Sequence, residues 1–155
     1  VSGAARDLTT VDDVDVLVRA FYRRVATDDL LGPIFEGAGV DWSAHIPKLV
    51  DFWEWQLLDG RSYRGNPLRA HAPVHRVRPF GDAHYARWLE LFDDTVDEHF
   101  AGPTAELAKE RARRMASALQ RLLDGHHGPG DEPTTVFGAP TAGGAGAPAA
   151  QGRQT

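Results

Sequence analysis

Trp42-Ser43-Ala44-His45-Ile46-Pro47-Lys48-Leu49-Val50-Asp51-Phe52-Trp53-Glu54-Trp55-Gln56-Leu57 is the stretch that decides the fold. Trp42, His45, Leu49, Phe52, Trp53 and Leu57 return every three or four positions, which places them on one face of a helix. Asp41 can cap its start and Gly60 closes it. Pro47 lies early, so it either kinks the helix or marks its true first turn.

The same period repeats on both sides. Thr10 can cap a helix carrying Val11, Val14, Leu17, Val18, Phe21 and Val25, and Asp12 and Asp13 complement the dipole of its first turn. Asp28-Asp29 and Gly32-Pro33 end it, with Leu31 to Phe35 as one short turn. Further on, Asp82 can cap a helix with Tyr85, Trp88, Leu89, Phe92 and Val96. Gly102-Pro103-Thr104 opens another, with Leu107, Arg111, Met115, Leu119 and Leu122 on one stripe. Strict alternation and hairpin turn dipeptides are absent. The expected fold is all-α.

Composition narrows the class. The chain has 155 residues, 42% hydrophobic and 25% charged, which suits one soluble domain. A net charge of −5 without a basic run argues against nucleic acid or an anionic membrane as partner. No cysteine is present, so disulfides, thiolate catalysis, iron–sulfur clusters and thiolate-held haem are excluded. That composition fits a reducing cytoplasm, and neither a signal peptide nor a membrane span is read. The folded body is expected over residues 8–124. Residues 125–155, rich in Gly, Pro and Ala, are expected to be a disordered tail.

Past the helix of the opening stretch comes Tyr63-Arg64-Gly65-Asn66-Pro67-Leu68-Arg69-Ala70-His71. Gly65, Pro67 and Pro73 leave room for only a very short helix, so His71 is held on a tightly bounded segment. A neutral imidazole held this way suits a metal, haem iron above all. Taken locally, His71 reads first as a histidine of a surface loop. His45 on its apolar stripe, Tyr22 after Phe21, and Trp88 each read as ordinary core residues when taken alone. His75 follows His71 by four, but Pro73 interrupts a helical zinc pair. No phosphate loop or nucleophile elbow occurs.

Taken together and in order, the landmarks are specific. They are Phe21-Tyr22, Asp29 to Phe35, Trp42 with His45, Phe52-Trp53, Tyr63-x-Gly65-x-Pro67 leading to His71, and His84-Tyr85 before Trp88-Leu89 and Leu91-Phe92. This sequence resembles the third group of the truncated haemoglobins from about Val14 to Leu123. The resemblance implies a shortened globin, two pairs of helices sandwiching b-type haem. It implies that His71 is the proximal iron ligand and that Tyr22, His45 and Trp88 are the distal polar residues. Phe35, Leu49, Phe52 and Trp53 match the apolar pocket walls. Tyr85 departs from the phenylalanine common after His84.

A hydrogen-bond donor aimed at a polarised diatomic ligand contributes about 1.5–3 kcal/mol, or roughly tenfold to a hundredfold in retention. Tight retention suits chemistry better than transport. The expected function is binding of oxygen, nitric oxide and carbon monoxide with redox chemistry on oxygen, either nitric oxide dioxygenation or a peroxidase-like reaction. A separate reductase would supply electrons. The alternative is a non-catalytic oxygen store, carrier or sensor.

Overall fold

Thr10 begins the first helix as its side chain predicts. The computed structural model describes residues 5–61, 63, 65, 71, 74, 75 and 79–124. Among them run α1 (Val11–Thr27), α2 (Gly32–Gly37), α3 (Trp42–Leu58), α4 (Asp82–His99) and α5 (Pro103–Asp124), with no strand. His71, Val74 and His75 also have helical backbone. The expected tail, 125–155, lies outside the described residues.

At the start of α1 the Thr10 hydroxyl accepts the Asp13 N–H at 3.2 Å. The Asp13 carboxylate accepts the Thr10 N–H at 3.0 Å in return. Asp13, expected to complement the helix dipole, is also buried, only 2% exposed. It also takes the Thr9 N–H and both arms of the Arg6 guanidinium. That guanidinium, above all, holds the carboxyl well below the usual carboxylate range.

The short turn expected at Leu31 to Phe35 is a full helix, α2. Gly32 lets it start against the end of α1: a Cβ there would stand 2.8 Å from the Ala26 carbonyl oxygen.

Asp41 caps α3 as expected, accepting the Ser43 N–H at 3.1 Å and the Ser43 hydroxyl at 2.7 Å. The helix begins before Pro47 and runs through it. Its end differs from expectation. Asp59, not Gly60, takes the left-handed conformation (φ 56), which a short polar side chain tolerates.

Two further boundaries shift. Gly81 rather than Asp82 is the N-cap of α4, and the His84 side chain does the capping, its Nδ1 accepting the Gly81 N–H at 2.9 Å. Asp82 falls inside the first turn, where it bonds the Gln120 side chain. On α5 the buried face is Ala105, Ala108, Ala112, Ala116, Ala118, Leu119 and Leu123, while Leu107, Met115 and Leu122 are half-buried. Small side chains let α5 lie close on α4, so alanines take the face that the larger residues were expected to fill.

α1 packs on α3 and α4 on α5, and the two pairs meet through α1 with α4 and α3 with α5. This is a two-on-two helical sandwich. Its core holds Trp53, Phe21, Phe92, Leu17, Val18 and Val96, all essentially sealed from solvent. Burying one such ring or branched side chain contributes about 1.5–3 kcal/mol. The N-terminal segment closes the body: Asp7 accepts the Thr104 and Ala105 N–H groups at 3.0 and 2.9 Å, capping α5. No helix among the described residues is long and apolar enough to cross a membrane.

Candidate functional site

Tyr22 projects from the inner face of α1 into a cage of rings. Its neighbours are Phe35 at 6.2 Å, Trp42 at 5.6 Å and His45 at 6.4 Å between ring centroids. Burial pushes the Tyr22 phenol far above its ordinary pKa, and the Trp88 indole beside it partly offsets that rise. The phenol therefore stays neutral and keeps its own proton as a donor.

Trp88 reaches this position from α4. It stacks on Phe92 at 5.5 Å and meets Phe21 edge-on at 5.2 Å. The preceding residue anchors the helix: Arg87 Nε donates to Asp28 at 2.8 Å, and Asp28 also takes the Leu30 and Leu31 N–H groups. Three bonds keep Asp28 ionised below its ordinary pKa although burial opposes this. The tie joins the end of α1 to the Trp88 helix.

His45 lies on α3, half-buried. Burial, then the charges of His71 and Lys48, lower its pKa, so the imidazole is neutral at pH 7. The electrostatic coupling brings His45 and His71 into one neighbourhood. His71 itself is exposed, its ring 6.4 Å from Phe80. Its expected delivery between Pro67 and Pro73 falls on residues outside those described. His75 is engaged elsewhere: its Nδ1 accepts the Phe80 N–H at 3.0 Å.

The remaining wall residues divide. Phe35 stacks on Trp42 at 5.4 Å and closes one side of the cage. Phe52 and Trp53 are buried in the main core, and Leu49 packs against it half-buried. Trp42 is a contact that the sequence reading counted as a landmark but not as a site residue. Its signal was its place immediately after the Asp41 cap, three residues ahead of His45. Arg87 and Asp28 were missed for a different reason, since 59 positions separate them.

A hydroxyl, an indole and the His45 imidazole gather among aromatic rings, with the exposed His71 coupled electrostatically to His45; imidazole suits haem iron, rings suit its macrocycle and a neutral hydroxyl suits a ligand. The helical sandwich and this pocket define a globin. The chain belongs to the bacterial-like globin family, whose family model matches residues 8–122. Within it, the chain belongs to the third group of truncated haemoglobins. The group 3 truncated haemoglobin ctb of Campylobacter jejuni is 30% identical over 116 residues, covering 72% of this chain and 89% of that protein. The crystal structure of the group III truncated haemoglobin from Campylobacter jejuni matches with a TM-score of 0.68 at 30% identity, covering 77% of this chain and 95% of that one. The group 1 truncated haemoglobin GlbN of a Nostoc species is 36% identical over 72 residues, 45% of this chain and 58% of that protein. Membership of this family implies haem and the binding of small gaseous ligands such as oxygen.

Proposed function

We propose that the chain holds b-type haem through His71 and acts in redox chemistry on oxygen retained beside Tyr22, as a nitric oxide dioxygenase or a peroxidase-like protein of the cytoplasm. The haem supplies an iron that takes a diatomic ligand and exchanges electrons with it. The observation that carries the reading is the Tyr22 hydroxyl buried inside a cage of Phe35, Trp42 and His45, with the Trp88 indole acting on it from α4. Trp88 thereby orients Tyr22, whose own O–H is the donor left for a ligand. His45, neutral and 6.4 Å from the Tyr22 ring, adds a second polar group without adding charge. Phe35, Leu49, Phe52 and Trp53 exclude water from that donor, so its bond is not weakened by solvent.

Such a pocket retains ligand longer than a carrier requires. Conversion of nitric oxide and dioxygen to nitrate consumes one electron, which a separate reductase returns. The test is nitric oxide consumption by the haem-loaded chain under oxygen with an electron source. Steady turnover over many equivalents is expected. Consumption that stops after one equivalent per chain, with reductant still available, would leave an oxygen store or sensor instead.

A further inference from the structure

All four tryptophans and two of the three tyrosines belong to one connected set of ring contacts. It starts in the pocket, where Phe21 lies 4.7 Å from Tyr22 and 5.2 Å from Trp88. Trp88 stacks on Phe92 at 5.5 Å and 9°. Phe92 stacks on Trp53 at 4.9 Å and 23°. Trp53 meets Phe52 at 5.4 Å, and Phe52 meets Trp55 at 5.8 Å and Tyr63 at 5.2 Å. Trp55 and Tyr63 stack on each other at 5.5 Å and 16°. Trp53 and Phe92 are 1% exposed, whereas Trp55 and Tyr63 are half-buried and reach the surface.

Oxidisable rings alternate with phenylalanine, so Trp88, Trp53 and the outer pair are each separated by one ring. Cysteine is absent and methionine occurs once, at Met115, so few sulfur groups compete as electron donors. The outer phenol, unlike the sealed one of Tyr22, borders water that can take its proton.

We infer that Trp88, Trp53 and the Trp55–Tyr63 pair form an electron relay, drawing the oxidising power of a peroxide from the pocket to the surface. The inference rests on the haem reading, since haem is the two-electron mediator. Hydrogen peroxide accepts one electron and one proton from the Trp55 indole N–H and one of each from the Tyr63 phenol. Two waters form, leaving a neutral tryptophanyl and a neutral tyrosyl radical. A phenol or aromatic amine too large for the pocket restores each radical by giving up one electron and one proton. The substrate class of the outer pair is therefore one-electron aromatic donors.

The experiment treats the full haem-loaded chain with hydrogen peroxide in the absence of other reductant. Freeze-quenched electron paramagnetic resonance and peptide mass mapping locate the radicals, with the haem-free chain as control. Oxidation at Trp55 and Tyr63 is expected only in the haem-loaded chain. Trp53→Phe should lower it about tenfold, the effect of a raised transfer barrier. In a separate double variant, Trp55→Phe with Tyr63→Phe, the signal should become purely tryptophanyl and map to Trp53 and Trp88. Outer-pair oxidation that persists unchanged in Trp53→Phe, or that occurs equally without haem, overturns the relay. A chain that takes up no haem, read from its absorption spectrum, overturns both readings. Haem uptake with Trp55 and Tyr63 unmodified overturns the relay alone.

Discussion

Tyr22 and Tyr85 each bury a phenolic hydroxyl, and the regions around them treat it in opposite ways. In the cage of α1, α3 and α4 the Trp88 indole acts on the buried Tyr22 oxygen and partly offsets what burial does to it. In the smaller cluster of Phe80, Tyr85, Met115, Leu119, Leu122 and Leu123, the Tyr85 hydroxyl has no hydrogen-bond partner among the described residues. Burial, then the nearby charge of Asp124, pushes its pKa up to about 12. A buried polar group costs stability unless it is bonded. The cage is therefore organised for a directed donor, while the region between Phe80 and α5 is organised mainly by apolar contact. His71 borders the second region through Phe80 and senses the first through His45.

The largest expected effect breaks the division at that junction. His71→Ala should lose most haem, measured by the Soret band per chain, whereas His75→Ala and His84→Ala should keep it. Loss in either of those variants with retention in His71→Ala would move the iron ligand to another residue. Next, Tyr22→Phe should keep haem and release oxygen roughly tenfold to a hundredfold faster in stopped flow. Trp88→Phe should show a smaller acceleration, because its N–H acts through Tyr22; equal or greater acceleration would make Trp88 the direct donor.

A third test concerns the scaffold beneath the cage. Asp13→Ala removes a cap, worth about 1–2 kcal/mol in a thermal melt. Asp7, Asp13 and Asp28 all titrate below their ordinary values. An unfolded chain protonates its aspartates near pH 4 or so, and the folded chain does so only lower. Their contribution is thus complete above about pH 4 and is lost as pH falls through the folded values. Melting temperature should drop on acidification from pH 5 to pH 2 or so, less steeply in Asp13→Asn. A profile parallel to that of the parent would show that Asp13 is not among the groups responsible. The smallest effect is reserved for Tyr85→Phe, expected to be neutral or stabilising by up to about 1 kcal/mol. A clear destabilisation would mean that its hydroxyl is used after all, and the contrast with Tyr22 would fall.

What could be read from the sequence was local. Thr10 and Asp41 act within three residues of themselves, so both caps were legible. The periodicity of Trp42–Leu58 survived Pro47, which lies inside the helix and removes one i→i−4 bond to Ser43. Where two adjacent residues could both stop a helix, Asp59 against Gly60 or Gly81 against Asp82, composition could not choose between them. The burial of Asp13 was hidden because Arg6 precedes the helix and returns only when the chain folds over. Asp28 read as a helix terminator, and nothing near it announced Arg87. Within the candidate site, Tyr22, His45 and Trp88 sit on three long helices whose faces periodicity defines. The setting of His71 depends on a short proline-bounded segment with no periodicity to read.

The bond between Asp7 and the start of α5 has a kinetic side. Ala101 N–H also reaches the Arg6 carbonyl at 3.1 Å, so the first folded residues and the last helix secure each other. Asp7 is synthesised 97 positions ahead of Thr104, so this contact forms only after α1 to α4 have been made. Closing a loop of that span is entropically costly and is rewarded only when its end arrives. Until α5 emerges, the earlier helices lack both its alanine face and this latch.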